Sequence, residues 1–165
     1  MNVFHSTVSV ERVKELLAYD KETGVFTWRK TRGKGHAGTV AGWAEKEGYR
    51  RILVAGKKFK EHRLAWAMVY GEFPSSDLDH INGVRSDNRI ANLRLATRSQ
   101  NAQNLRGPTS INKTGFLGVR KNGNRWNAVI TLNKITTYLG CFKTPEEAHQ
   151  EYLKAKRHMH KFCTI

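Results

Sequence analysis

The sequence is poor in the features that mark a disulfide-stapled, zinc-bound or membrane-spanning protein. Only two of its 165 residues are cysteine, Cys141 and Cys163, and neither has a CxxC partner. That spacing supports neither a disulfide framework nor a zinc site, and both read as ordinary thiols. Long apolar runs are missing too: the longest, residues 64–70, has 7 residues, against the roughly 20 needed to cross a bilayer. Residues 1–5 show neither the basic start nor the apolar core of a secretory signal, so a reducing cytoplasm is the expected location. Acidic side chains are scarce, 14 against 29 Lys and Arg, which leaves a formal charge of +15. Internal repeats and low-complexity tracts are absent.

What is present is enough apolar material to fold. With 39% hydrophobic and 10% aromatic residues, the chain is too apolar to be a disordered basic tail. The positive charge is unevenly spread: residues 1–73 carry a net +6, residues 74–106 only +2, and residues 107–165 a net +7. Two basic flanks around a nearly neutral centre suit a polyanionic partner, because each Lys or Arg placed at a phosphate releases condensed counterions.

Hydrophobic periodicity and turn chemistry divide the chain further. Ser9 as N-cap, with Val10, Val13, Leu16 and Leu17 on one face and Val8 stapled to Val13, predicts a helix over 9–18. Short strands are expected around 25–28, 49–54 and 58–60, and a helix over 61–70. Arg106-Gly107-Pro108-Thr109-Ser110-Ile111-Asn112 reads as a linker. Beyond it, residues 115–120, 125–131 and 136–142 read as three strands. Thr144-Pro145-Glu146-Glu147 is the strongest helix start in the chain, a capping box with proline at the first helical position. Ala148, Tyr152, Ala155 and Met159 follow as the expected buried stripe, while His158 and His160 are expected to face solvent. The fold class is therefore α+β, divided into a mixed region over 1–73, a core over 74–106, a linker over 107–112 and a sheet-plus-helix module over 113–165.

The chemistry concentrates in the neutral centre. Asp79-His80 closes a short strand before an Asn82-Gly83 turn, and Leu93-Arg94-Leu95-Ala96 forms a second strand. Thr97 with Gln100 is another capping box, so a helix starts at residue 98 and Asn101 sits one turn into it. Asp79 and Asn101 are hard oxygen ligands suited to Mg²⁺ rather than zinc. An imidazole such as His80, with an unperturbed pKa of about 6.5, can take a proton from water near neutral pH. Asn92 could accept the Nδ1 proton of His80 and leave Nε2 as the base. The set describes a one-metal hydrolytic site for a phosphodiester.

Asp79-His80, Asn92-Leu93-Arg94 and Asn101, separated by 12 residues from His80 to Asn92 and 9 from Asn92 to Asn101, resemble the ββα-metal finger of HNH endonucleases. The variant is the one whose last position is Asn. That resemblance implies His80 as general base, Asn92 as the residue orienting it, and Asp79 with Asn101 holding one Mg²⁺ or Mn²⁺. The helix at His62-Arg63-Leu64-Ala65-Trp66 is similar to that of phage-borne members, which implies a homing-type enzyme acting on double-stranded DNA in a bacterial host's cytoplasm. Arg94 and Arg98 are candidate phosphate contacts.

A second resemblance lies at Gly118-Val119-Arg120, Arg125-Trp126-Asn127-Ala128-Val129-Ile130, Leu139-Gly140-Cys141-Phe142 and Thr144-Pro145-Glu146-Glu147-Ala148. These are similar to the DNA-binding domain of plant ethylene-response factors, which implies a three-stranded sheet laid in the major groove. By matching positions Arg120, Arg125 and Tyr138 are the leading candidates for DNA contact, followed by Lys121, Asn127 and Thr131. Leu117, Val129 and Thr131 depart from the charged residues of the plant pattern, so its target sequence does not carry over. The expected partner is duplex DNA, with no membrane and no small-molecule substrate. The rival readings are a DNA-binding regulator built on an inactive finger and an RNA-binding protein.

Overall fold

The computed structural model describes residues 8–31, 33, 35–108 and 111–164. The N-terminal residues read for a signal, and Thr109 and Ser110 of the expected linker, lie outside them. The chain divides into two compact units, Met1–Leu95 and Ala96–Ile165. The architecture is α+β, as the patterning implies.

The first unit opens on α1 (Val10–Leu16), capped by Ser9, whose hydroxyl accepts the Arg12 N–H at 3.2 Å. Val13 and Leu16 are buried, and Val8 joins the same cluster, as a staple requires. The helix ends two residues before the expected 18. Leu17 turns extended and opens β1 (Leu17–Tyr19), which pairs antiparallel with β2 (Phe26–Trp28). Between them the Asp20 side chain accepts the N–H groups of Glu22 and Thr23, an Asx turn that reverses the chain. A second sheet runs in the order β3 (Trp43–Ala44), β4 (Arg50–Val54), β5 (Lys57–Lys60). On β4 the alternation is clean: Ile52 and Val54 are fully buried while Leu53 is exposed.

Helix α2 (Glu61–Tyr70) follows β5 without a break and drives Leu64 and Ala65 into the core beside Phe26, Ile52 and Val54. The chain then forms β6 (Asp77–His80), a loop, a single 3₁₀ turn over Ile90–Asn92, and β7 (Leu93–Ala96), which pairs with β6. Leu93 belongs to the same hydrophobic cluster, so the β6–β7 pair is anchored to the unit's core at one end.

The second unit begins with α3 (Arg98–Gln103), where the Thr97–Gln100 capping box forms reciprocally: Gln100 N–H to Thr97 Oγ1 at 3.2 Å, Thr97 N–H to Gln100 Oε1 at 2.8 Å. Its main body is a sheet in the order β10 (Ile135–Phe142), β9 (Arg125–Leu132), β8 (Val119–Asn122), backed by α4 (Pro145–Met159). The Thr144–Glu147 capping box is also present. Val119, Ala128 and Ala148 form the buried centre, with Trp126 and Phe142 packed on it.

Two expectations about α4 need correction. Its buried positions are Ala148, Tyr152 and Lys156, at strict four-residue spacing, whereas Ala155 and Met159 are half-buried. Lys156 Nζ lies 5.8 Å from the centre of the Tyr152 ring and donates to the Leu105 carbonyl, which satisfies the charge at the tip. His160 is buried rather than solvent-facing, because it lies one residue past the helix end, where its Nε2 donates to the Thr131 carbonyl at 3.1 Å.

Candidate active site

Strand β6 delivers the two central residues in different directions, as a strand must with successive side chains. His80 turns inward and is 4% exposed. Asp79 meets Arg94 on the neighbouring β7, whose Nε and Nη2 donate to Asp79 Oδ2 at 2.9 and 2.8 Å. Arg94, read from sequence as a phosphate contact, is thus the cation beside the expected metal ligand.

His80 sits in an aromatic pocket. The His62 ring meets it edge-on with centroids 5.1 Å apart, and the Tyr49 ring lies 6.0 Å away. Lys60 Nζ lies 4.1 Å and the Arg85 guanidinium 5.0 Å from the centre of the Tyr49 ring. Burial pushes the His80 imidazole below the usual histidine range, an effect partly offset by its hydrogen bond to Asn88 and by the Asp79 and Asp87 charges. His62 is driven down to about 3, by burial first and by the neighbouring His80 second. Burial thus favours the neutral form of both rings, and a neutral imidazole is the form that accepts a proton.

Asn92 does different work from that expected. Its Oδ1 accepts the Asn82 backbone N–H at 2.9 Å and its amide donates to the Asp87 carbonyl at 2.8 Å. It staples the two ends of the 82–87 loop, with Asn82 Nδ2 bonded to Asp87 Oδ2 at 2.7 Å inside the same loop. Arg89 clamps Asp87 and holds its carboxyl down to about 2. The amide that meets the His80 ring is instead Asn88, whose Oδ1 is 3.2 Å from His80 Nε2. That contact falls on Nε2, the nitrogen that the sequence reading left for the base.

Asn101 lies on α3 in the second unit, where its N–H closes the first helical turn onto the Thr97 carbonyl. Arg98 is exposed at the first position of that helix. Of the sheet candidates, Arg120, Arg125, Asn127, Thr131 and Tyr138 share one face. The register places Arg120 opposite Asn127 and Tyr138 opposite Val129, and the face opposite α4 is the one that carries them. Arg125 Nη2 also donates to the Cys141 carbonyl at 3.3 Å. Lys121 lies on the other face, opposite Trp126 in register, with Nζ 6.0 Å from that ring.

Glu61 is the residue that sequence reasoning passed over, and Asn88, within the same polar stretch as the site, was given no role by it. Both are buried, and they are linked by a 3.0 Å hydrogen bond from Asn88 Nδ2 to Glu61 Oε2. The signal in the sequence was weak: an acidic residue opening a helix, and an Asp-Asn pair in a polar loop.

Among the described residues no three His, Cys, Asp or Glu side chains gather as a metal cluster. The donor set at Asp79 still fits a hard divalent cation. A mostly buried carboxylate that already holds a guanidinium charge is an oxygen ligand of the kind Mg²⁺ takes, with water and phosphate oxygens completing its shell.

Residues 59–103, from within β5 to the end of α3, match the HNH endonuclease family, so the class to which this ββα segment is similar is that of HNH nucleases. A particular relative is a protein of Acanthamoeba polyphaga mimivirus named as an uncharacterized HNH endonuclease. It is 37% identical over 109 residues, a stretch covering 65% of this chain and 56% of that protein. The chain thus spans little more than half the length of that relative. No solved structure matches. No helix among the described residues is long and apolar enough to cross a membrane.

Proposed function

We propose that this protein is a metal-dependent endonuclease of the homing type that hydrolyses phosphodiester bonds in duplex DNA. The observation that carries the reading is a buried imidazole, His80, next in sequence to a carboxylate, Asp79, at the end of a strand inside the segment that matches the HNH family. His80 acts as general base on the attacking water. Asp79 is the carboxylate ligand for one Mg²⁺ or Mn²⁺, and Asn101 the second ligand that the resemblance implies. When bound, that cation supplies the positive charge that polarises the scissile phosphate and stabilises the leaving oxygen.

Asn92 keeps the 82–87 loop closed so that the strand end holds one geometry. Arg94, the guanidinium held by Asp79, is a further phosphate contact in this reading. Grip on the duplex comes from the basic flanks, above all from the open face of the C-terminal sheet, where Arg120, Arg125, Asn127, Thr131 and Tyr138 stand together. Arg98 is a further phosphate contact on the first turn of α3.

Chelation combined with Asp79→Ala tests the metal. Cleavage of supercoiled plasmid is expected in Mg²⁺, lost in excess chelator, restored by added Mg²⁺, and absent in Asp79→Ala under both conditions. Undiminished cleavage by Asp79→Ala, or in excess chelator, would overturn it. One chain carries one His80, so open-circular DNA is expected before linear.

A further inference from the structure

Behind the His80 ring runs a line of buried polar groups that hydrolysis as described leaves unused. Glu61 is 2% exposed and Asn88 is 1% exposed. The Glu61 carboxylate is gripped by Arg50, whose Nε lies 3.0 Å from both oxygens and whose Nη2 donates to the Ala41 carbonyl at 3.2 Å. Asn88 Nδ2 donates to Glu61 Oε2 at 3.0 Å, and Asn88 Oδ1 faces His80 Nε2 at 3.2 Å. Tyr19 fixes the same segment by donating its hydroxyl to the Asn88 carbonyl at 2.8 Å.

Two glycines let this line close. A Cβ on Gly42, at φ +86°, would fall 2.5 Å from Glu61 Oε1. One on Gly24, at φ +74°, would fall 2.5 Å from Arg89 N and 2.7 Å from the Asn88 carbonyl carbon. Any side chain at either position would push the line apart.

The direction of every bond follows from one end. A guanidinium only donates, so the carboxylate facing it accepts. The Asn88 amide must then turn its NH₂ to Glu61, which presents its oxygen to His80. An oxygen there needs a hydrogen from Nε2, so a ring that holds one proton carries its lone pair on Nδ1.

We propose that Arg50, Glu61 and Asn88 are positioning residues that lock His80 in its Nε2–H tautomer, making Nδ1 the nitrogen that takes the proton from water. The catalytic consequence rests on the reading of His80 as general base, whereas the tautomer rests on the geometry alone. Glu61 and Asn88 are buried behind the ring and act only through it. Glu61→Gln preserves shape but can present either NH₂ or oxygen to Asn88, so it erases the direction of the line. Asn88→Ala removes the link itself.

The test uses the full chain labelled with ¹⁵N-histidine at about pH 8, above the ordinary imidazole range. His80→Gln assigns the resonance, and thermal melts check the fold. Wild type is expected to show His80 protonated on Nε2, and both variants to show a new Nδ1–H population. Single-turnover cleavage should fall roughly 100-fold in the variants, the lower part of what a general base contributes, while DNA affinity stays within about threefold. Nδ1–H in the wild-type chain would overturn the relay, whether or not the variants fold. An unchanged tautomer in folded variants would overturn it even in an active nuclease. A wild-type chain that cuts no DNA in any divalent ion would overturn the nuclease reading instead, and the spectrum would still decide the relay.

Discussion

Asn92 shows how much one buried amide holds. It is 7% exposed and satisfies the Asn82 N–H and the Asp87 carbonyl at once. Asn92→Ala strands both groups, and each unsatisfied buried polar group costs about 1–3 kcal/mol. A loss of about 2 kcal/mol or more in urea unfolding is expected. Asn92→Asp keeps the acceptor for Asn82 but not the donor for Asp87, so it should recover only part of the loss. His62 supplies a pH signature. It binds a proton at about 3 when folded and near 6.5 when unfolded. The unfolded chain therefore takes up the proton first as pH falls. Its contribution is fully present above about 6.5 and is lost progressively between about 6.5 and 3, at up to about 1.4 kcal/mol per pH unit. His62→Phe, which keeps a ring against Tyr49 and His80, should flatten unfolding free energy against pH in that window. An unchanged slope would contradict the burial of a neutral ring. At this scale Asp79 and His80 stood out as candidates because their identities and spacing are specific. Glu61 and Asn88 were not, since they lie 19 and 8 residues from His80 in sequence, and only folding pairs a helix-opening acid with a loop amide.

Elements whose ends carry local chemistry behaved as their sequence implied. Both capping boxes form, at Thr97–Gln100 and Thr144–Glu147, because the donors and acceptors lie within three residues of each other. Thr144→Ala removes the acceptor for the Glu147 N–H and should cost about 1 kcal/mol, read as a lower melting temperature. Elements fixed by distant partners were less legible. Leu17–Tyr19 continues the apolar pattern of α1, yet becomes a strand because Phe26–Trp28 pairs with it. Trp43–Ala44 is too short to show a period and exists only beside β4. Lys156 falls on the buried face of α4 through its four-residue spacing, a place that a binary hydrophobic pattern assigns to an apolar residue. Lys156→Met should therefore be tolerated or mildly stabilising in melts, since it keeps the stem and deletes a buried charge.

At the scale of the whole molecule, the charge of +15 is arranged and not merely large. All but +2 of it lies outside residues 74–106, so the segment expected to hold a cation among phosphates is flanked by the charge expected to hold DNA. Arg120 and Arg125 stand on the open face of the C-terminal sheet. If each neutralises a phosphate, replacing both with Ala should reduce the slope of log affinity against log salt by about 1.8, at roughly 0.9 for each phosphate no longer neutralised. An unchanged slope would remove that face from the grip. The central claim, that His80 is the base of a DNA nuclease, is tested most directly by single-turnover cleavage of supercoiled plasmid in Mg²⁺, comparing wild type with His80→Ala at equal DNA occupancy. Open-circular product from wild type, with a rate at least about 100-fold lower in His80→Ala, is the predicted result; equal rates for the two proteins would contradict it.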